Sequence, residues 1–543
     1  MAGLVLRAIC GTMLSVLVGG LVEAATQHNG LTTAGRSLYL NARRADGSAL
    51  IATVQQDVPL PSPASACASC HRRSGLGTSE GAVRSLSITG TALFQPVTTG
   101  IPRPAYDDLT LRRAIAEGIA ADGRPLNALM PRYRLTAEDA RELTAYLRVL
   151  GAAPTPGVSD DQIELATVVA ADMPKPALNA FLKVLERYAQ IKNSGTRREG
   201  ERAAAARRHP FGERRDRAFR RWHVTVWTLT GAPATWEAQL RNAYADRPPF
   251  AMLSGITGHD WAIVHRFCDR MEMPCILPVT DVPGDDVAGF YSVYYSTGVR
   301  LEAQVTARHI ASTLDNPAAR VMLLYADNES ALAARTALHA AWKGDNFPVL
   351  IEHSVPRGSV PSSSDWQELI GRQRPDVLIA WLAPAQLAAL ASIPTGTQPM
   401  PPQIYTAQSM TPWTAVASLG PIRGRVLHIY PYRLATAGRS QFPREQAWLQ
   451  AQGLESLDLE VAARTLFACH ALGEGLMSLD GNFSREYLLE QLEHMLDGTA
   501  MTSLFPATSL GPGQRVLSHG AYVTRLGNPR GGAPLLEVDW QQP

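Results

Sequence analysis

The run Gly151-Ala-Ala-Pro-Thr-Pro-Gly157 constrains this chain most, because the residue pattern changes across it. Its composition marks a linker, and its prolines favour an extended, semi-rigid spacer. Before it, residues 35–150 read as short helices joined by long loops. After it, short apolar runs alternate with helical segments. The strand candidates are Ile163–Ala170, His223–Leu229, Phe250–Ile256, Cys275–Val279, Arg320–Tyr325, Val349–His353, Asp376–Trp381, Gln403–Thr406 and Arg425–Tyr430. Helices are expected at Ala177–Ile191, Ser330–Trp342, Asp365–Gln373, Leu457–Leu479 and Ser484–Leu496. Apolar runs of this kind suit strands buried on both faces, and their alternation with helices implies a parallel sheet. Eight or so units exceed one small sheet, so two lobes are expected. The fold expected is therefore multidomain. A small all-α domain at 35–150 leads through a linker at 151–159 to a two-lobed α/β domain at 160–530, which a chain of 543 residues accommodates.

Apolar residues at 45% and charged residues at 18% are a globular balance and exclude disorder for most of the chain. A net charge of +2 gives no bulk case for nucleic acid. Lysines are only Lys175, Lys183, Lys192 and Lys343; the other cationic residues are arginines. Arginine concentrates in Thr196–Arg221, which reads either as a solvated insertion or as a docking patch for an acidic protein or membrane surface. At the N-terminus, Arg7 precedes the apolar run Ala8–Val22, and Val22-Glu23-Ala24 offers small residues at the positions a signal peptidase reads. Residues 1–24 are expected to be a cleaved secretory signal, the alternative being an N-terminal anchor. No later segment reaches the ~20 apolar residues of a membrane span. The mature protein is expected in the periplasm.

Cys67-Ala-Ser-Cys70-His71 is the motif that carries chemistry. One helical turn places two thiols on one side, so each can add to a vinyl group of a haem, and the next histidine can ligate the iron. A redox dithiol would need a thioredoxin-like β-α pattern, and half a zinc site would need two further ligands nearby, whereas the next cysteine is Cys268. One covalent haem c is the expected cofactor. Between Ala25 and Asp172 the only methionine is Met130, and the only histidines are His28 and His71. Met130 therefore leads as sixth iron ligand, with His28 in the polar tail the weaker candidate. A Met/His pair suits electron transfer.

Residues 35–150 resemble a class I cytochrome c domain. Gly35-Arg-Ser-Leu-Tyr39 resembles the family's N-terminal helix, Cys67–His71 its haem attachment site, and Tyr106–Ile115 with Glu117-Gly118 its middle helix. Met130-Pro131 matches its methionine loop, and Leu135–Leu147 resembles its C-terminal helix. Thr136 is the natural N-cap of that helix, with Asp139 at the third position. The resemblance implies Cys67, Cys70, His71 and Met130 as cofactor-binding residues, with His71 and Met130 on the metal. Arg72 departs from the family, which often has a small residue there.

Residues 160–530 resemble a type 1 periplasmic binding protein of the branched-chain amino acid receptor kind. Phe250–Thr257, Met273–Pro278, Phe290–Tyr294, Val321–Tyr325 and Pro375–Ala380 carry this likeness. It implies two lobes closing on a ligand held by loops at strand carboxyl ends. Candidate cleft residues are Thr257, Thr280, Asp281 and Tyr325. Val168–Pro176 lacks the usual turn glycine, and Thr228–Gly231 lacks the usual acid. Cys268 and Cys275 read either as a disulfide or as two buried thiols, and Cys469 reads as core.

The expectation is a periplasmic cytochrome that moves single electrons through one Met/His haem and is not an enzyme. Its larger domain would recognise a small-molecule ligand or dock a redox partner, such as a periplasmic dehydrogenase or another cytochrome. The alternative is a solute receptor or sensor of an ABC-type uptake system whose haem reports or modulates ligand binding. A haem enzyme would need an open iron position.

Overall fold

The computed structural model describes residues 29–543 except 56–57, 81–82, 195–200, 202–217, 285–288, 315, 317, 344–346, 395–399, 418, 436–440, 498–503 and 527–533. The expected signal at 1–24, His28 and most of the arginine-rich stretch lie outside the described residues. Two compact units meet between Thr155 and Pro156.

In the first unit, residues 29–41 are helical, and further helices span Ala68–His71, Gly90–Phe94, Asp108–Glu117 and Ala137–Val149. Short strands fall between them: β1 (Ala52–Val54), β2 (Val58–Leu60), β3 (Ser79–Glu80), β4 (Val83–Arg84) and β5 (Arg132–Tyr133). Capping chemistry fixes the helix starts. Thr136 accepts the Asp139 backbone N–H, and the Asp139 carboxylate accepts the Thr136 backbone N–H, closing the expected box. Asp107 and Thr110 make the same reciprocal pair at the middle helix. The first and last helices approach closely at Gly35, where an added Cβ would lie 2.0 Å from the Glu142 carbonyl oxygen. That contact lets Tyr39 stack on Tyr146 at 5.3 Å and donate its hydroxyl to the Arg72 carbonyl at 2.7 Å. The core gathers Leu38, Tyr39, Leu111, Ile115, Leu143 and Leu147.

The second unit begins with its own edge of the linker. Gly157 accepts the Glu164 backbone N–H, and Arg220 donates to the Ser159 carbonyl at 2.7 Å. The five-stranded sheet of the first lobe uses β6 (Gln162–Ala170), β7 (Arg221–Leu229), β8 (Ala251–Leu253), β9 (Cys275–Ile276) and β10 (Ser292–Val293). Its order is β10-β9-β8-β6-β7, all parallel. The second lobe uses β11 (Arg320–Ala326), β12 (Val349–Val355), β13 (Val377–Trp381), β14 (Gln403–Ala407), β15 (Val426–Tyr430), β16 (Ala521–Leu526) and β17 (Pro534–Gln541). Its order is β12-β11-β13-β14-β15-β16-β17, with β16 and β17 antiparallel.

Period-two burial explains the strands. In β13, Val377, Ile379 and Trp381 pack into one core layer while Leu378 and Ala380 pack into the layer on the opposite face. In β6, Leu165 and Val169 face one layer, and Ala166, Val168 and Ala170 the other. Two expected strands are shorter than expected. Phe250–Ile256 yields only β8 because Ser254 (φ 54°) and Gly255 (φ 145°) bend the chain, and Cys275–Val279 yields only β9 because Leu277 (φ 54°) does the same. Among the described residues, Cys268, Cys275 and Cys469 are buried free thiols. Cys275 Sγ–H points to Met252 Sδ at 3.6 Å, and no disulfide joins Cys275 to Cys268.

Candidate functional site

The first unit holds a cavity of about 270 Å3 that is lined by Cys67, Cys70, His71 and Met130 together. The rest of its wall is mainly apolar, including Ile88, Leu93, Leu111, Ile115, Leu126, Tyr133, Leu143 and Leu147. An apolar crevice with two thiols, an imidazole and a thioether fits a flat, hydrophobic macrocycle with an axially ligated metal.

Each polar member is placed by local structure. The Cys67 carbonyl accepts the His71 backbone N–H at 2.9 Å, so one turn carries all three motif side chains. His71 Nδ1 lies 2.8 Å from the Leu86 carbonyl oxygen. A carbonyl only accepts, so Nδ1 carries the proton and Nε2 keeps its lone pair. Desolvation lowers the His71 pKa, which favours the neutral ring that a metal ligand requires. Desolvation also pushes the Cys67 thiol up to about 11. Tyr133 lines the cavity and donates its hydroxyl to the Ser65 carbonyl at 2.6 Å, tying the stretch before the motif to β5.

The Met130 loop is held from its own next turn. Asn127 Oδ1 accepts the Leu129 N–H at 2.9 Å, and the Asn127 carbonyl accepts the Met130 N–H at 3.0 Å. Arg132 then reaches back, donating to the Met130 carbonyl at 2.6 Å and to the Asn127 and Leu126 carbonyls at 3.3 and 3.4 Å. Its guanidinium sits against Gly118 (φ 75°), where an added Cβ would lie 2.1 Å from Arg132 Cζ. Gly118 thus serves both the left-handed helix end and the arginine's close approach. Arg132 escaped sequence reasoning because its acceptors are backbone carbonyls, which no motif reveals.

The second unit has a separate cavity of about 310 Å3 beyond the carboxyl ends of β8, β11, β12, β13 and β14. Its charged lining residues are His259, Glu329 and Arg357. Glu329, which starts the helix Glu329–Ala341, reaches from the second lobe to the first. Its Oε1 meets His259 Nδ1 at 3.1 Å and its Oε2 accepts the Asp260 N–H at 2.8 Å. Asp172 holds the other ring nitrogen of His259 at 2.9 Å. Desolvation lowers the His259 pKa, but the two carboxylates outweigh it and leave the group above its ordinary value.

None of the four expected cleft residues lines this cavity. Thr257 is buried and accepts the His259 N–H at 3.3 Å. Thr280 and Asp281 belong instead to a network around the buried Arg464, which donates to the Asp281 carboxylate at 2.9 Å and to the Thr280 carbonyl at 2.8 Å. Tyr325 lies under the Arg335 guanidinium, 5.7 Å from its ring centre. The lining residues His259 and Glu329 lie two positions after Thr257 and four after Tyr325, where the strands have ended.

The family model for cytochrome c matches residues 47–151. Residues 47–151 are a cytochrome c domain. That family holds its haem covalently, and the crevice of the cytochrome domain brings Cys67, Cys70 and His71 together on one turn. No curated protein matches the sequence. Among solved structures, a branched-chain amino acid ABC transporter from Thermus thermophilus with bound valine is similar at TM-score 0.52 and 10% identity, covering 70% of this chain and 97% of that one. A fatty acid ABC transporter substrate-binding protein from Thermomonospora curvata is similar at TM-score 0.49 and 13% identity, covering 72% of this chain and 95% of that one. The first of these likenesses carries the fold: beside the cytochrome domain, the second unit has the α/β fold of periplasmic binding proteins. Among the described residues, no helix is long and apolar enough to cross a membrane.

Proposed function

We propose that this protein is a periplasmic electron carrier with one haem c, attached through Cys67 and Cys70 and ligated by His71 and Met130. The supporting observation is the His71 Nδ1 contact with the Leu86 carbonyl at 2.8 Å inside a crevice shared with both thiols and Met130. When bound, the haem supplies a one-electron couple. The protein's own part is to aim His71 Nε2, to present the Met130 thioether, and to keep water from the iron with the apolar wall. With His71 and Met130 both holding the iron, no place would be left for a substrate on the metal, and the chain would act as a carrier rather than an enzyme. Its large unit would recognise a small solute or dock the redox partner, a periplasmic dehydrogenase or another cytochrome.

A second reading is favoured by the interlobe cavity and the Glu329 contact across it: a solute receptor or sensor of an uptake system, whose haem reports ligand binding. A redox titration with and without ligand separates the two, because ligand-linked shifts of potential must be reciprocal with affinity. The attachment itself is tested by Cys67→Ala with Cys70→Ala. Thioether bonds, not iron ligation, resist acid–acetone extraction, so the double variant should yield only extractable haem. Haem that survives extraction in that variant refutes the assignment.

A further inference from the structure

We propose that the interlobe cavity takes a small carboxylate with an apolar body and no ammonium group. The proposal deepens the reading of the large unit as solute-binding and rests on it. An α-amino acid brings two charges, so its site must offer an anionic acceptor to the ammonium and a donor to the carboxylate. Here Glu329 is the only carboxylate among the described lining residues. Both its oxygens are already engaged across the lobes, one with His259 at 3.1 Å and one with the Asp260 N–H at 2.8 Å. His259 is engaged on both ring nitrogens, by Glu329 and by Asp172. An ammonium would have to compete with His259 and the Asp260 N–H for the one carboxylate among the described lining residues.

A donor does remain. Arg357 lines the cavity and makes no ion pair with any described residue. A guanidinium can only donate, so the ligand it selects is an acceptor carrying negative charge. Pro384 and Met410 add apolar wall, which suits a short hydrocarbon or aromatic body in a volume of about 310 Å3.

The test is calorimetric titration of the haem-loaded full-length protein with three probes of one shape: 4-methylpentanoate, leucine and 4-methylpentanamide. They differ only in the ammonium and in the charge of the acid. The carboxylate should bind, and the other two should bind at least roughly tenfold more weakly, as loss of a charge-assisted bond dictates. Arg357→Gln should weaken the carboxylate by about tenfold or more, and Arg357→Lys should recover part of it. Arg357 is exposed, so the variants' melting temperatures report that the fold is kept. Leucine or the amide binding as tightly as the carboxylate, or Arg357→Gln leaving its affinity unchanged, overturns the anion assignment while the cavity stands as a ligand site. Silence from all three probes, and from a series of aliphatic and aromatic carboxylates, overturns both the assignment and the solute-binding reading. The electron-carrier reading would survive either result.

Discussion

The Arg132 guanidinium lies 2.6 Å from the carbonyl oxygen of Met130, two residues before it in the chain. This bond, with two longer ones to Asn127 and Leu126, makes the methionine loop a closed turn rather than a free segment. The backbone that carries the thioether is therefore held by the protein itself, which would lower the entropy lost if Met130 ligates the iron.

Arg132→Gln should loosen that turn at a cost of about 1–3 kcal/mol, the range for charge-assisted hydrogen bonds. Haem should remain covalently attached. The weak ferric absorption band that reports methionine on the iron should fade at a lower temperature than in the native protein. Arg132→Lys should restore it in part. A band that melts identically in Arg132→Gln would show that the arginine does not position Met130.

Arg72 ends the motif helix at φ 63°, ψ 169°, a conformation that side chains rarely adopt. Glycine would adopt this conformation without strain. Arg72→Gly should raise unfolding stability by about 1 kcal/mol through relief of strain, set against the greater freedom glycine gives the unfolded chain. Chemical denaturation of the cytochrome-containing protein measures it. Clear destabilisation would mean the Arg72 side chain contributes more than its backbone costs.

Asp139 titrates in the cytochrome domain's favour. Burial raises its pKa, but the Arg44 fork at 2.8 and 3.1 Å and the bonds with Thr136 outweigh burial and leave it below the ordinary value. A depressed folded pKa gives stability that is full above the unfolded value and lost as pH falls through the folded one. The loss therefore begins below about pH 4. Asp139→Asn should be less stable than the native protein at neutral pH, by roughly 1–3 kcal/mol. Its stability should also fall less steeply under acid. Parallel acid-unfolding curves for the two proteins would remove Asp139 from the account.

Much of this was legible because it is local. The haem motif, the Thr136 box and the apolar runs of β6 and β13 are fixed by residues within one or two turns of each other. What escaped depends on distant partners. Asp281 read as a cleft residue because its partner, Arg464, lies 183 positions away. Glu329 and His259, 70 positions apart, meet only when the two lobes are in place. Antiparallel β16 and β17 carry no signal that distinguishes them from parallel neighbours until β16 pairs with β15. Backbone acceptors, such as the carbonyl of Leu86 that orients His71, leave no mark in a sequence at all.

His71 and Met130 are proposed to hold one haem for electron transfer. The most direct measurement is the absorption spectrum and reduction potential of the purified protein beside Met130→Ala. The native protein should show a six-coordinate low-spin haem with the methionine band. The variant should lose that band, fall in potential, and bind added imidazole at the vacated position, because thioether ligation favours the ferrous state. An unchanged spectrum and potential in Met130→Ala would contradict the account and place another group on the iron.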